Sequence, residues 1–310
     1  MTPTLPSCPS CFRPEAPLHH REDGHLYFRC ADCGIVYLHP APSKAELERI
    51  YREEAGATFH HGAEIAGSFE KRLEARLRLQ LVEPVLSVAP ERSALEIGCG
   101  AGYLLETLRG RGWRVEGTEL SDDYLRHARE RLGLQVGPVF PNGRFGAVLL
   151  FNVLSHLPDP VPFLRRCAGS LHPGGVLVLE TGNAAEVPPR RVGPFGAPEH
   201  LLHYSETALR TLLERSGFGT VRVRRLNVEW QRRTLGLLGR RRPPSSATTC
   251  GGPGPTPPGP SLLKRALIAA LLGLRFGAGR FLADRRHFCT LFVTARVGQL
   301  IVAAPSARVL

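Results

Sequence analysis

The segment at residues 95–102 constrains this chain most, because it places three alternating glycines between an apolar run and a helix-forming stretch. Gly98, Gly100 and Gly102 allow a tight backbone turn and let a ligand approach where a Cβ atom would block it. Such a turn between a strand and a helix is typical of nucleotide-binding α/β proteins, although it also occurs without a ligand. The GxGxG spacing, unlike GxGxxG, favours a nucleoside without phosphates over a dinucleotide.

Two acidic residues strengthen the prediction of a nucleoside site. Glu96 lies at the end of the strand before the first glycine, where a carboxylate is costly to bury unless a ligand or donor engages it. Glu119 follows the next predicted strand, about twenty residues after the glycine turn, where an acidic residue in this architecture accepts hydrogen bonds from ribose hydroxyls. We therefore expect both carboxylates to face a bound nucleoside.

Short apolar runs alternate with helix-forming stretches of about ten residues in the middle of the chain, which predicts a doubly wound, Rossmann-like α/β fold with a mostly parallel sheet. The predicted strands cover 94–97, 114–118, 147–151, 175–180, 220–228 and 288–295. The predicted helices cover 102–111, 122–132, 161–170 and 205–216.

Four of the eight cysteines form two CxxC pairs, Cys8 with Cys11 and Cys30 with Cys33, separated by 18 residues. This spacing is typical of a structural zinc site in which two knuckles donate four thiolates to a tetrahedron. A closed site of this kind has no open position, so we expect the zinc to be structural. A disulfide pair and a redox CxxC are the less favoured alternatives.

These segments predict four regions along the chain. In order, they are a small zinc-ribbon-like module (1–42), a helical lid or connector (43–92), the α/β core (93–239 and 286–300), and an insertion before the last strand (240–285). The expected elements of the smaller regions are a strand over 25–29 and helices over 43–54, 68–88 and 261–274. Residues 240–260 are rich in Pro, Gly, Ser and Thr, which predicts a flexible loop.

Positive charge is concentrated in the last part of the chain. Residues 1–189 contain 20 Lys and Arg against 23 Asp and Glu, whereas residues 190–310 contain 20 against 5, a net charge of +15. This asymmetry predicts a phosphorylated substrate, an anionic membrane surface or nucleic acid as partner, unless it is only a solvated arginine-rich surface. The apolar helix over 261–274 could lie on a membrane, line a substrate tunnel or, as we favour, pack on the core.

The cellular location follows from three negative features. The sequence has no apolar stretch of eighteen residues, and residues 1–14 lack the apolar core of a secretory signal. The cysteines outside the CxxC pairs are scattered singly. We expect a cytoplasmic protein, and the basic C-terminal part leaves peripheral contact with a membrane open.

Further motifs follow the glycine turn in a fixed order. After Glu119 come a strand entry at 144–150, a loop at 152–160, a Leu-x-Pro-Gly-Gly strand entry at 171–175 and a Pro-Glu-His loop at 198–205. In this series the chain resembles the class I S-adenosylmethionine-dependent methyltransferases, in particular the ubiquinone-type branch (methyltransferase types 11, 12 and 23). The resemblance covers residues 68–228 and the last strand, and it implies a seven-stranded sheet and S-adenosylmethionine as the cofactor.

The resemblance also implies the residues of the cofactor site. These are Glu96, Gly98, Cys99, Gly100, Gly102, Glu119, Leu120, Asn152 and Val153. Three features depart from the family pattern. Gly146 replaces an Asp in the fourth strand, and residues 134–142 contain no acidic residue for the adenine amino group. Asn152 and Ser155 stand where ubiquinone-type enzymes have carboxylates thought to support a metal, so we do not expect a catalytic metal there.

The resemblance implies in-line attack of an acceptor nucleophile on the cofactor's methyl group. The protein must align the reactants and, for a hydroxyl or a carbon acid, remove a proton. Histidine suits this role because its ordinary pKa lies near neutrality. The candidates, in our order of preference, are His200, His156 and His203, and a capping or bracing role is the alternative for each.

Three functions remain compatible with the sequence. The first is S-adenosylmethionine-dependent methyl transfer to a small-molecule, sugar or glycan, or lipid-like acceptor, since a zinc module before such a core also resembles sugar C-methyltransferases. The second is an rRNA or tRNA methyltransferase with a zinc ribbon, which the positive charge suits. The third is a non-catalytic binding protein with a methyltransferase fold, suggested by Gly146, Asn152 and Ser155.

Overall fold

The computed structural model describes residues 7–50, 69–188, 195–227, 262–276 and 288–298. Within these ranges, none of the helices combines the length and the hydrophobicity that crossing a bilayer requires. The flexible loop predicted at 240–260 and the end of the helix predicted over 43–54 lie outside the described residues. The beginning of that helix is α1 (Lys44–Arg49), which Ser43 caps by accepting a hydrogen bond from the Glu46 N–H.

Seven of the described strands form one sheet in the order β10-β11-β8-β7-β4-β5-β6. They are β4 (Ser93–Ile97), β5 (Arg114–Thr118), β6 (Gln135–Gly137), β7 (Phe145–Phe151), β8 (Leu171–Gly182), β10 (Phe218–Asn227) and β11 (Cys289–Val297). Strands β4 to β8 run parallel to their neighbours in this group, whereas β11 is antiparallel to both β8 and β10. The predicted doubly wound, mostly parallel α/β sheet is confirmed.

Helices cover both faces of this sheet, as a parallel sheet requires. One face packs against α2 (Phe69–Leu86), α3 (Tyr103–Arg109) and α4 (Asp122–Arg126), which continues as a π-helical turn. The other face packs against α5 (Pro160–Gly169) and α6 (Glu206–Arg215). Strand β7 is buried at every position between these two layers, which explains its uninterrupted apolar sequence.

The N-terminal cysteine region is built into the core. Its strands form a second, antiparallel sheet with a short strand of the core at its edge, in the order β1 (Leu18–Glu22), β2 (His25–Arg29), β3 (Val36–Leu38) and β9 (Leu202–His203). Ile35 is fully buried and belongs to the same hydrophobic cluster as Leu164 of α5. We call residues 7–38 the cysteine module; it shares its hydrophobic core with one face of the large sheet.

Helix α2 has two apolar stripes rather than one. Ala75, Leu79, Val82 and Leu86 are buried against the sheet. A second stripe, Phe69, Leu73, Leu77 and Leu81, packs against α7 (Leu262–Phe276). The two stripes place α2 between the sheet and α7.

The helix predicted over 261–274 is α7, and its packing against α2 agrees with the position that we favoured. The apolar residues of α7 include Leu262 and Leu263. Those two side chains are exposed, whereas Ile268, Leu272 and Phe276 are buried against α2. One part of the apolar surface of α7 is therefore used inside the fold, and another part is exposed.

Gly146 lies at the amino end of β7, where the backbone of Glu91 crosses the strand. A Cβ atom on residue 146 would collide with the carbonyl oxygen of Glu91, and the Gly146 N–H donates to the Ser93 hydroxyl over 2.9 Å. The absence of the family's Asp at this position is thus explained by backbone packing. Gly146 therefore lies at the end of the sheet opposite to the carboxyl ends of the parallel strands.

We expect Gly146→Ala to lower the free energy of unfolding by about 1–3 kcal/mol, the usual cost of overpacking a close-packed site. Urea unfolding followed by circular dichroism measures this change. Gly169→Ala is the matched control, because a Cβ there meets no neighbouring atom and the residue is helical. An equal effect of the two substitutions would contradict the packing explanation.

Candidate active site

A cavity of about 730 Å³ opens at the carboxyl ends of β4, β5 and β7. Ligands bind at this edge in open α/β sheets. Of the nine residues predicted to bind the cofactor, eight line the cavity: Glu96, Gly98, Cys99, Gly100, Glu119, Leu120, Asn152 and Val153. The ninth, Gly102, lies outside the lining and begins α3 with φ 82°, where a Cβ would approach Leu134 Cδ1 to 2.6 Å.

The carboxylate of Glu119 organises the cavity floor. Its Oε2 accepts the Gly100 N–H at 2.8 Å, and its Oε1 accepts the N–H groups of Leu120 and Ser121 at 2.7 and 2.9 Å. One side chain therefore joins the glycine turn after β4 to the turn after β5. A carboxylate has about four acceptor sites, so capacity remains for a ribose hydroxyl.

Glu96 is a buried carboxylate that faces the cavity without a full set of partners. It is 4% exposed, and its Oε2 has no hydrogen-bond partner among the described residues. Burial raises the pKa of Glu96 to about 8, and the Glu119 charge adds to the increase while Arg78 opposes it. Since buried polar atoms normally find a partner, a positively charged or donor group of a ligand fits this position.

Arg78 was not identified from the sequence, although it lines the cavity. Its guanidinium donates to Glu74 over 3.0 Å and to Glu180 over 3.3 Å, and it lies 4.6 Å from the ring centroid of Phe151. The sequence nevertheless contains a feature that points to a special role for Arg78. Residue 78 falls on the stripe of α2 that faces the sheet, where a charged residue is unusual.

Two apolar side chains stand exposed at the cavity, although such residues are usually buried. Leu120 is 46% exposed and Val139 is 70% exposed, and both line the cavity. Phe140 lies beside Val139, with its ring under the Arg166 guanidinium at 4.4 Å. These surfaces can cover a flat apolar ring such as a nucleobase.

The three predicted histidines come together in space, but only His156 lines the cavity. The ring centroids of His156 and His200 are 4.6 Å apart, and those of His200 and His203 are 6.4 Å apart. His203 is 7% exposed, lies behind His200 and packs against Phe195 at 4.3 Å. Of the three, His156 is thus the best placed to reach a ligand.

The hydrogen bond of His156 defines its neutral tautomer. Its Nδ1 lies 3.0 Å from the carbonyl oxygen of Glu199, which can only accept, so Nδ1 carries the hydrogen and Nε2 is the basic nitrogen. Burial and the neighbouring His200 lower the pKa of His156 to about 4, although the backbone at Glu199 and Asn152 favours the protonated form. The ring is therefore neutral at physiological pH.

The four predicted cysteine ligands form a compact cluster. All four Sγ atoms lie within 4.8 Å of one another, with Cys8 and Cys33 at 3.6 Å and Cys11 and Cys30 at 3.4 Å. Four thiolates around zinc at about 2.3 Å place their sulfurs roughly 3.8 Å apart, so this donor set fits the metal. None of the four forms a disulfide.

Residues 69–223, half of the chain, match the methyltransferase domain family. This chain belongs to that family. The predicted family and fold are confirmed, and the family match and the named relatives support S-adenosylmethionine as the cofactor and methyl transfer as the reaction class. Glu96 and the glycine turn provide a cradle that fits this cofactor.

Over part of its length the chain is similar to several curated methyltransferases. A Mycolicibacterium smegmatis protein, named as an S-adenosylmethionine-dependent methyltransferase, is 31% identical over 134 residues (41% of this chain, 52% of the relative). A ubiquinone biosynthesis O-methyltransferase of Xanthomonas axonopodis pv. citri is 34% identical over 119 residues (34% and 49%). A tRNA U34 carboxymethyltransferase of Pseudoalteromonas translucida is 30% identical over 196 residues (57% and 59%). The chain spans about half the length of these curated relatives.

We expect Glu119→Ala to weaken binding of S-adenosylhomocysteine by roughly ten- to a hundredfold, because a hydrogen bond to a charged group contributes about 1.5–3 kcal/mol. Isothermal titration calorimetry measures the affinity. Glu116→Ala is the matched control, since Glu116 lies on the strand that precedes Glu119 but pairs with Arg114 at the surface. Unchanged affinity in the Glu119 variant would exclude it from the cofactor site.

The buried imidazole of His203 makes stability depend on pH. Burial and the charges of His200, His156 and His19 lower the pKa of His203 to about 3, so the unfolded chain binds the proton more readily than the fold. Its contribution is present above the ordinary pKa of 6.5 and is lost as the pH falls towards 3.

Between pH 7 and pH 5 this loss is about 2 kcal/mol. We expect His203→Phe, which keeps a ring beside Phe195, to reduce the pH dependence of urea unfolding by that amount. The same experiment on His172→Phe, a histidine paired with Glu91 at the opposite edge of the sheet, provides the comparison. A pH dependence that persists in the His203 variant would assign it to other groups.

Proposed function

We propose that this methyltransferase acts on a small-molecule acceptor whose hydroxyl or acidic carbon lies beside His156. The observation that carries this proposal is the continuity of one cavity from Glu119 at the cofactor end to His156 and Phe163 at the other end. A donor and an acceptor bound together in such a space are held in contact, which is the main requirement of a one-step displacement.

The cofactor end has groups for each part of S-adenosylmethionine. Glu119 suits the ribose hydroxyls, and the exposed apolar surfaces of Leu120 and Val139 suit the two faces of the adenine ring. The orphan oxygen of Glu96 suits a positive group of the amino-acid part, while the Arg78 guanidinium suits its carboxylate. Among these, only Arg78 and Val139 add to the residues predicted from the sequence.

The acceptor end is mainly apolar and aromatic. Leu157 and Phe163 line it, and the Phe163 ring meets the Phe140 ring edge to face at 5.5 Å. The Arg166 guanidinium, over the Phe140 ring, provides positive charge nearby. This lining favours a compact acceptor with an apolar face, such as a quinol, a lipid-like molecule or a nucleotide-linked sugar, over an extended polymer.

The chemistry divides between the cofactor and the protein. When bound, S-adenosylmethionine supplies an electrophilic methyl group on its sulfonium. His156, neutral and with its Nδ1 hydrogen fixed on Glu199, presents Nε2 as the base that takes the acceptor's proton. The apolar walls exclude water, so the protein's tasks are alignment and proton removal.

We expect His156→Gln to lower kcat by about a hundredfold or more, the usual contribution of a general base, and to leave the KM for S-adenosylmethionine within about twofold. Transfer of tritiated methyl groups to quinols, lipid-like phenols and nucleotide-linked sugars identifies an acceptor and then measures kcat. His172→Gln is the control variant. A kcat unaffected by His156→Gln would assign His156 a bracing role.

The same assay gives a pH profile. Because burial lowers the pKa of His156 to about 4, the base remains neutral and active down to about pH 5. An activity that halves near pH 6.5 would instead indicate an unperturbed histidine.

Similarity to a tRNA U34 carboxymethyltransferase favours RNA as a second candidate acceptor. Binding to RNA through phosphates weakens steeply with salt, whereas a small acceptor held in an apolar pocket is much less sensitive. Retention of tRNA at 50 mM but not at 200 mM salt, together with methyl transfer to it, would favour RNA. Transfer to small molecules alone would favour the first proposal.

A further inference from the structure

Several contacts of the cysteine module with the core fall on one stretch of chain, residues 195–205, which we call the histidine segment because it contains His200 and His203. Glu22, at the end of β1, holds the beginning of this segment. Its carboxylate accepts the N–H of Phe195 at 2.6 Å and the N–H of Gly196 at 2.9 Å. These bonds to the backbone lower the pKa of Glu22 despite its partial burial, so the side chain is ionised.

Tyr27, on β2, holds the middle of the segment. Its hydroxyl donates to the carbonyl oxygen of His200 over 3.2 Å, and the side chain is fully buried. The Tyr27 ring also packs against Phe195 and His203, with centroid distances of 4.9 and 5.4 Å. The module therefore contacts the segment through both its backbone and its rings.

The end of the segment belongs to the module's own sheet. Strand β9 pairs with β3, so that Leu202 faces Tyr37 and His203 faces Val36. Next to this strand, the Ser205 hydroxyl donates to the carbonyl oxygen of Cys33, one of the four thiolate residues. The histidine segment is thus hydrogen-bonded directly to the backbone of one residue of the cysteine cluster.

The opposite side of the segment forms the wall behind the cavity. His156 donates to the Glu199 carbonyl, and the Leu201 N–H donates to the Ser155 carbonyl over 2.8 Å. The His200 ring packs directly on the turn that Glu22 holds, because a Cβ on Gly196 would lie 2.8 Å from His200 Nδ1. The His200 ring therefore lies between that turn and His156, whose ring centroid is 4.6 Å away.

We propose that Glu22 is a positioning residue: by fixing the turn at Phe195 and Gly196, it sets His200 against His156, so that the cysteine module shapes the acceptor end of the cavity. This inference rests on the proposed function, in which His156 faces the acceptor. Tyr27 acts in the same way from the next strand. The cofactor end is built by β4, β5 and the Glu119 carboxylate, so the module governs one end of the cavity and not the other.

Hydrogen–deuterium exchange of the full, zinc-loaded chain tests this inference without an identified acceptor. We expect Glu22→Ala to speed exchange in peptides covering 195–205 by about tenfold or more, because two charge-assisted hydrogen bonds are lost. Glu22→Gln, which keeps one acceptor oxygen, should restore part of the protection. Glu15→Ala is the matched control, an exposed carboxylate of the same module.

A second readout concerns the imidazole rings themselves. In NMR spectra of histidine-labelled protein, the His200 and His156 ring signals should shift or broaden in Glu22→Ala and remain unchanged in Glu15→Ala. The affinity for S-adenosylhomocysteine should stay within about twofold of the parent in both variants, since the cofactor end is held separately.

Three results would overturn the inference: unchanged exchange and ring signals in Glu22→Ala, faster exchange spread through the whole chain with a lower Tm, or an equal effect of Glu15→Ala. Failure of the proposed function has a different signature. In that case His156→Gln leaves kcat unaffected, while the comparison of exchange rates still reports on Glu22. Removal of zinc by a chelator should raise exchange in 195–205 and spare the glycine turn at 98–102.

Discussion

A single carboxylate determines the geometry of the cofactor end. Glu119 accepts three backbone N–H groups from two different turns, one after β4 and one after β5. Backbone hydrogen bonds from Cys99 to Thr118 and from Gly102 to Cys99 also hold the glycine turn, whereas Glu119 holds the Gly100 N–H. Gly98 and Gly100 adopt left-handed conformations that most residues avoid. The flexibility that allows close approach of a ligand is thus restrained by one side chain of the neighbouring strand.

Buried charge is the second organising constraint. Arg78 lies between Glu74 and Glu180, with Glu96 near enough for its charge to interact, so three carboxylates surround one guanidinium. Burial raises the pKa of Glu96 to about 8, so its carboxyl is mostly protonated near neutral pH, and its Oε2 has no partner among the described residues. A positively charged or hydrogen-bond-donating group of the cofactor would supply this partner and favour the ionised carboxylate.

The sequence was sufficient for the elements whose signal is local. Strand β5 was predicted with its observed bounds, and the cysteine spacing correctly indicated the four-thiolate cluster. Elements defined by distant partners were missed: β6 and β9 are three and two residues long, and β9 exists only because β3 pairs with it. Arg78 was missed because its partner Glu180, which is 102 residues away in the chain, comes near it only in the fold. The roles assigned to the three histidines remain predictions, since the geometry places only His156 at the cavity.

The position of α7 has a consequence for shortened forms of the chain. Helix α2 contributes Lys71, Glu74 and Arg78 to the cavity on one side, while Phe69, Leu73 and Leu77 on another side pack against α7. Removing α7 would leave those three apolar side chains facing water on a helix that also bears charged cavity residues. Helix α7 thus covers the outer surface of α2, and a chain trimmed of it would tend to self-associate through that surface.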